Sequence, residues 1–252
     1  MIKIGCCGFP VSRERYVREL SVVELQNTFY DLPSRDWCKR LRDSLPSGFE
    51  IAVKVWQVIT HPSTSPTWRR MKSRVKGDVA SYGHLKHTKE NLEAFMEVYD
   101  RARILGARFI ILQTPSSMPC TTEHLEAVDS FFKDALKDIS NMLVGWELRG
   151  ECADDNRVTS LMEKHGIIHV VDPFKRKPFV QPGGIAYFRL HGRGAGEINY
   201  RYKYSDEDLV ELYKLITELD VSEVYVMFNN IYMFEDAVRF KRLLKQKGVN
   251  VY

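Results

Sequence analysis

Short apolar runs alternate with longer amphipathic segments along the whole chain. Eight of these runs are rich in apolar or β-branched residues, and a helical crossover fits between most neighbours, so we interpret them as strands. They cover residues 2–6, 22–26, 49–55, 108–113, 142–148, 167–171, 185–190 and 223–228. Strands that alternate with helices favour a parallel sheet, and eight such units predict a (β/α)₈ TIM barrel.

Several of the intervening helices carry signals at their ends. Thr88 is a candidate N-cap, and apolar residues follow it at helical spacing as far as Gly106, which suits a left-handed C-terminal cap. Ser205 and Asp208 have the spacing of a capping box. Other helices are predicted at 11–20, 34–44, 122–139 and 155–165, and one around Phe234 to Leu244 closes the eighth unit.

The segment 62–87 is longer than an ordinary connection between a strand and a helix. Its prolines and glycines interrupt any regular periodicity, so we expect an extended loop after the third strand. This loop is a candidate lid or binding loop. It is an insertion in a single domain that covers residues 1–252 rather than a linker between two domains.

The composition is that of a globular protein, with 44% hydrophobic and 28% charged residues. No apolar run approaches the roughly 20 residues of a membrane-spanning helix, so we predict no membrane partner. The first residues lack the pattern of a secretory signal, and the five cysteines show no C-x-x-C spacing. We therefore expect a cytoplasmic protein, while the pattern contains no signal for its oligomeric state.

Positive charge is concentrated in two segments. Each of the ranges 61–89 and 173–204 contains seven Lys or Arg residues and one acidic residue, although the chain carries a net charge of only +4. Interleaved aromatic residues could stack on bases, so the pattern favours an anionic small molecule or a nucleic acid, and a solvated loop surface is the alternative. The candidate nucleic-acid-binding residues are Arg69, Arg70, Lys72, Arg74, Lys175, Arg176, Lys177 and Arg193.

Charged residues also lie near the ends of predicted strands. Glu24, Lys54, Glu147 and Arg189 are each embedded in apolar sequence, and burying such groups is costly unless they pair. One interpretation is a structural network of salt bridges. The other is catalytic, because the loops that follow the strands form the active face of a TIM barrel. In that case Glu24 or Glu147 is a general acid or base, and Lys54 and Arg189 hold an anion.

Six sequence blocks occur in the order expected of a known family. They are VELQNTFY at 23–30, AVK at 52–54 leading to ITH at 59–61, LQTPS at 112–116, ELR at 147–149, RLHG at 189–192 and FNN at 228–230. Together they resemble the signature blocks of the YecE-like family, also called domain of unknown function 72. The resemblance implies a TIM barrel and no particular activity, but a similarity entertained between this family and apurinic-site endonuclease barrels admits nucleic acid as a partner. The candidate substrate-binding residues in these blocks are Gln26, Asn27, Tyr30, His61, Gln113, Arg149, His191, Asn229 and Asn230.

These patterns favour a hydrolase that acts on a phosphate-bearing substrate, with nucleic acid as a candidate. A nucleic-acid-binding protein without catalysis is an alternative, as is a glycosidase that uses Glu24 and Glu147 as its carboxylate pair. Neighbouring Lys54 and Arg189 weigh against the glycosidase because they favour the ionised form of both carboxylates. His, Asp and Glu residues near the strand ends are too few for several zinc ions, but a single divalent cation such as Mg²⁺ is a candidate cofactor.

Overall fold

Eight parallel strands form a closed barrel in sequence order in the computed structural model, which describes residues 1–251. They are β1 (Ile2–Cys6), β2 (Val22–Leu25), β3 (Glu50–Lys54), β4 (Phe109–Gln113), β5 (Leu143–Glu147), β6 (Ile168–Val171), β7 (Ile185–Leu190) and β8 (Glu223–Phe228). Every predicted strand is present, and each end lies within one residue of its predicted position. The TIM-barrel prediction is therefore confirmed.

Helices occupy the connections between the strands. They are α1 (Arg13–Glu19), α2 (Asn27–Tyr30), α3 (Arg35–Asp43), α4 (Gln57–Thr60), α5 (Lys89–Ile104), α6 (Thr122–Leu136), α7 (Asn156–His165), α8 (Asp206–Thr217) and α9 (Met233–Gln246). The predicted end signals are confirmed: Thr88 caps α5, Gly106 has a φ of +59°, and Ser205 and Asp208 form a capping box at α8. The single-turn helices α2 and α4 were not predicted.

The strands are buried along nearly their whole length, as expected when helices cover a parallel sheet. Strand β7 pairs with β8 from Ile185 opposite Glu223 to Leu190 opposite Phe228. Close approach between β1 and β2 requires a glycine, because a Cβ atom on Gly5 would overlap the carbonyl oxygen of Val22.

The chain divides into two compact units. The first contains Met1–Glu24, Pro46–Glu50 and Ile168–Tyr252, and the second contains Leu25–Leu45 and Ile51–Ile167. Of the predicted catalytic residues, Glu24 and Arg189 belong to the first unit, whereas Lys54 and Glu147 belong to the second. That the whole chain forms one domain stays a prediction.

The extended loop after β3 is anchored within the second unit. It contains two short 3₁₀ turns, Pro66–Arg70 and Val79–Ser81. Near its end, the backbone N–H of Gly83 donates to the carbonyl of Val58 (2.7 Å), and that of His84 donates to the carbonyl of Thr60 (3.0 Å). The predicted loop is therefore present, with its last turn hydrogen-bonded to α4. No helix within residues 1–251 has the length and apolar character needed to cross a membrane.

Candidate functional site

A buried ion pair joins two of the predicted catalytic residues in the first unit. Arg189 Nη2 lies 3.0 Å from Glu24 Oε1, and its Nε donates to Glu24 Oε2 at 3.1 Å. The hydroxyl of Tyr187 donates to the same Oε2 at 2.9 Å. Glu24 and Tyr187 are 0% exposed and Arg189 is 1% exposed, so this arrangement has the features of the structural salt bridge that the sequence suggested. A catalytic role for either residue stays a prediction.

Cys7 follows β1 and belongs to the same buried group. Burial raises the pKa of the Cys7 thiol well above its usual range, and the charge of Glu24 raises it further while Arg189 opposes the effect. A thiol with so high a pKa carries its proton at neutral pH. Cys7 is therefore a small packing residue in the free protein rather than a nucleophile.

Asp172, His191 and Asn229 come together after β6, β7 and β8. Asp172 Oδ2 accepts the backbone N–H of His191 at 3.0 Å, and its Oδ1 accepts that of Phe174 at 3.1 Å. Burial raises the pKa of Asp172 above its ordinary value, against the lowering effect of these hydrogen bonds. The side-chain amide of Asn229 lies 3.2 Å from His191 Nδ1 and orients the imidazole. Two of the predicted substrate-binding residues, His191 and Asn229, are thus in contact.

Asn230 has a different environment from Asn229. Its Nδ2 donates to the carbonyl of Tyr202 at 2.8 Å and to Asp236 Oδ2 at 2.7 Å. Asn230 is buried, and its amide holds the loop before α8. A role in substrate binding stays a prediction.

The second unit contains a cluster around Lys54. Lys54 Nζ donates to Gln113 Oε1 at 3.0 Å and lies 4.1 Å from the centroid of the Phe29 ring, within cation–π distance. Gln113 Nε2 donates to the carbonyl of Thr114 at 3.1 Å, which turns the amide oxygen towards the ammonium group. Lys54 and Gln113 are both buried at the ends of their strands.

His61 is a buried imidazole in a positively charged environment. Its Nδ1 lies 2.9 Å from Thr60 Oγ1, and its ring packs edge-on against Phe29 with centroids 5.0 Å apart. Burial, followed by the charges of Lys54, Arg149 and His84, lowers the pKa of His61 to about 3. The imidazole is therefore neutral at physiological pH, and a neighbouring anion would raise its pKa.

Glu147 and Arg149 form an ion pair in the same unit. Arg149 Nε and Nη2 both donate to Glu147 Oε1, at 3.1 Å and 2.8 Å. Both side chains are largely buried, and Arg149 acts electrostatically on His61. The second unit thus assembles five predicted site residues, which are Lys54, His61, Gln113, Glu147 and Arg149.

A groove of about 620 Å³ lies beside α2 and the extended loop. The guanidinium carbon of Arg70 stands 3.9 Å from the centroid of the Tyr30 ring, and Nη1 donates to the Tyr30 hydroxyl at 2.6 Å. Gln26 is half-buried immediately before α2, and Asn27 is exposed at its first position. The groove is lined by Asn27, Tyr30, Asp31, Pro33, Trp37, Arg70, Lys72 and Ser73.

The basic residues of the segment 173–204 are largely neutralised by neighbours. Arg193 Nη1 lies 2.7 Å from Asp208 Oδ1 and 2.5 Å from Glu211 Oε2. Arg176 lies 3.4 Å from Glu197. The charge of this segment is therefore partly used in its own folding.

The candidate basic residues of the two segments differ in exposure. In the segment 173–204, Lys175 donates to the carbonyl of Glu197, and Lys177 is the one candidate residue that is exposed. In the loop, by contrast, all four candidate residues are exposed and form no ion pair with any of residues 1–251, namely Arg69, Arg70, Lys72 and Arg74. Their charge is available to an external anion.

Two residues of these sites were not predicted from the sequence: Tyr187, which donates to Glu24, and Trp37, which lines the groove. Tyr187 could have been found, because strand alternation places it on the same face as Arg189 two residues later. Trp37 carries no such signal, since a tryptophan in a predicted amphipathic helix is normally a core residue.

A ligand set for the candidate Mg²⁺ is missing from the part of the chain that the structure describes. Residues 1–251 contain no group of three or more His, Cys, Asp or Glu side chains placed to hold a metal ion. The carboxylates of Glu24 and Glu147 are each paired with an arginine instead.

Other solved structures share this fold. The chain is similar to endonuclease IV from Thermus thermophilus, with 11% identity, a TM-score of 0.58, and coverage of 97% of this chain and 99% of the other. It is also similar to a D-tagatose 3-epimerase-like protein, with 14% identity, a TM-score of 0.60, and coverage of 97% and 96%. At these identities the likeness shows the fold alone.

Comparison at the family level is more specific. A DUF72 family protein from Enterococcus faecalis has 22% identity and a TM-score of 0.71, covering 97% of this chain and 98% of the other. No curated protein matches the sequence. A family model described as protein of unknown function DUF72 matches residues 12–251. Because this match spans nearly the whole sequence, the chain belongs to the DUF72 family.

Proposed function

We propose that this protein is a hydrolase of phosphate-bearing substrates and that the second unit binds the phosphate through Lys54 and Arg149. The observation that carries the proposal is the environment of His61, an imidazole whose pKa is lowered first by burial and then by the charges of Lys54 and Arg149. Convergent cations in a poorly solvated place stabilise an anion more strongly than the same charges at the surface. A phosphate group meets that requirement, and nucleic acid is the substrate class that the unpaired cations of the extended loop favour.

Glu147 and His61 supply the proton transfers of hydrolysis. Glu147, which accepts two hydrogen bonds from Arg149, takes a proton from the attacking water as the oxygen bonds to phosphorus. Bound phosphate offsets the neighbouring positive charges and raises the pKa of His61 towards its ordinary value. The imidazole then binds a proton and donates it to the leaving oxygen as the bond between that oxygen and phosphorus breaks.

The predicted roles of Glu24 and Arg189 change in this proposal. Their complete burial and mutual hydrogen bonds suit stabilisation of the first unit better than contact with substrate. The carboxylate-pair glycosidase is correspondingly less favoured, because Glu24 and Glu147 each accept a hydrogen bond from an arginine, which favours the ionised form of both carboxylates. A cytoplasmic location remains part of the proposal.

Histidine NMR during a phosphate titration tests the binding step directly. We expect saturating inorganic phosphate to raise the pKa of His61 in the wild-type protein and to leave it unchanged in Lys54→Met. Lys133→Met removes an exposed lysine of α6 and should behave like the wild type. An unchanged His61 titration in the wild type, or an equal change in Lys54→Met, would overturn the proposed phosphate site.

Turnover separates the hydrolase from a binding protein without catalysis. Release of p-nitrophenolate from p-nitrophenyl phosphate and from bis(p-nitrophenyl) phosphate should fall about 100-fold or more in Glu147→Gln, as expected for loss of a proton acceptor. If the wild type releases no product from either ester while phosphate still shifts His61, the hydrolase is refuted and the non-catalytic alternative stands.

A further inference from the structure

We infer that the groove beside the extended loop is a subsite for single-stranded nucleic acid, in which an unpaired base stacks on the groove wall and the adjoining phosphates contact Arg70 and Lys72. This subsite would hold the nucleic-acid substrate of the proposed hydrolase. It rests on the proposed function only for the claim that the bound strand is then cleaved. Its binding part stands on the groove alone.

Flat side chains in the groove are available for stacking. Trp37 lines the wall, is only half-buried, and makes no ring pair with an aromatic residue among residues 1–251. Arg70 lies over the face of Tyr30, with its guanidinium carbon 3.9 Å from the ring centroid. Bases stack on indole rings and on guanidinium planes alike.

The charge of the groove suits a phosphate backbone. Arg70 and Lys72 are exposed and form no ion pair within residues 1–251. The wall includes one carboxylate, Asp31, and its oxygens accept the backbone N–H groups of Lys72 and Ser73 at 2.8 to 3.1 Å. Asp31 therefore holds the loop backbone in place, while the side chains of Arg70 and Lys72 stay exposed.

The volume of the groove and the need for a free base face both favour an unpaired strand. Its volume of about 620 Å³ falls within the roughly 300–1,000 Å³ of pockets that hold small organic ligands. A base inside a duplex has both faces covered by its neighbours and cannot stack on a protein side chain without being flipped out. Single strands offer free faces, so the groove should bind them in preference to duplexes.

Fluorescence anisotropy with a labelled dT₁₂ strand tests the inference. We expect Trp37→Ala to weaken binding about fivefold to 100-fold, as for loss of one stacked base, and Trp37→Phe to restore most of it. Phe179→Ala removes an exposed aromatic side chain of the other unit and should bind like the wild type. Circular dichroism melts confirm that each variant is folded.

The salt dependence of binding tests the phosphate contacts. Each contact to a single strand contributes about −0.7 to the slope of log K against log salt, so Arg70→Met/Lys72→Met should reduce the slope by about 1.4. The matched control, Lys133→Met, should keep the wild-type slope.

The outcomes separate this inference from the proposed function. Equal affinity of the wild type for dT₁₂ and its duplex, or unchanged affinity in Trp37→Ala, would overturn the subsite. An affinity for thymidine 5′-monophosphate as high as for dT₁₂ would replace the strand by a free nucleotide and also overturn it. Trp37-dependent binding without any cleavage supports the subsite and refutes cleavage of the bound strand, while the hydrolase itself is tested by the two p-nitrophenyl esters.

Discussion

Arg189→Met is expected to destabilise the protein strongly by removing the arginine that pairs with a buried carboxylate. In the wild type, Glu24 is 0% exposed and accepts hydrogen bonds from Arg189 and Tyr187. Methionine fills much of the space of the arginine side chain but offers neither charge nor donor. The carboxylate then keeps the Tyr187 hydroxyl and loses its ion pair with Arg189.

The expected magnitude follows from the burial of the pair. Removing one partner of a buried ion pair costs about 3–5 kcal/mol, whereas exposed pairs are worth about 0–1 kcal/mol. For a chain of this length each kcal/mol corresponds to about 2–4 °C in Tm, so the midpoint should fall by about 6–20 °C. Arg157→Met is a suitable control, since Arg157 pairs with Asp155 while 51% of its side chain is exposed.

Urea denaturation followed by circular dichroism measures the free energy of unfolding of each variant. The triple variant Glu24→Leu/Tyr187→Phe/Arg189→Met removes all three polar groups together, and we expect it to recover most of the loss because no buried charge remains unpaired. A cost below about 1 kcal/mol for Arg189→Met, or a triple variant less stable than the single one, would refute the reasoning.

Three further predictions concern titration, loop packing and capping. The pKa of His61 is about 3 in the folded protein and near 6.5 in the unfolded chain, so between these pH values the unfolded chain binds one more proton. The free energy of unfolding should therefore fall by up to about 1.4 kcal/mol per pH unit as pH drops from 6.5 towards 3. Urea midpoints should fall less steeply with pH in His61→Gln. Gly83 has a φ of +85° and a Cβ there would lie 2.5 Å from Pro62 N, so Gly83→Ala should speed proteolysis of the loop. Gly48→Ala, at a φ of +79° with open space, should not, and equal cleavage would contradict the packing argument. Ser205→Ala removes the acceptor that caps α8 and should cost about 1 kcal/mol in urea unfolding, with a null effect counting against the capping box.

The fold could be predicted because its signals are local. Each strand is a short apolar run, and Thr88, Gly106 and Ser205 mark helix ends through contacts with residues a few positions away. Such contacts depend on backbone geometry over one turn, so they are readable before any tertiary structure is known. The single turns α2 and α4 were missed because four residues contain too little periodicity to distinguish a helix from a loop.

Charge in the two basic segments shows the limit of that reasoning. The sequence treats Arg70 and Arg193 alike, as cations in loops of similar composition. In the folded protein Arg193 is paired with two carboxylates of α8, while Arg70 stacks on Tyr30 and keeps its charge available. Composition counts charges, but only the folded backbone brings an acceptor within hydrogen-bonding distance.

The sequence by itself determined the order and extent of the strands, the barrel they form and the family to which the chain belongs. Only the tertiary structure decided which polar residues are used for stability. Glu24 and Arg189 are 165 positions apart, so no local pattern could show that they pair, or that the environment of His61 is positively charged. Electrostatic interactions act through distance in space, and that distance is set by the closed barrel rather than by spacing along the chain.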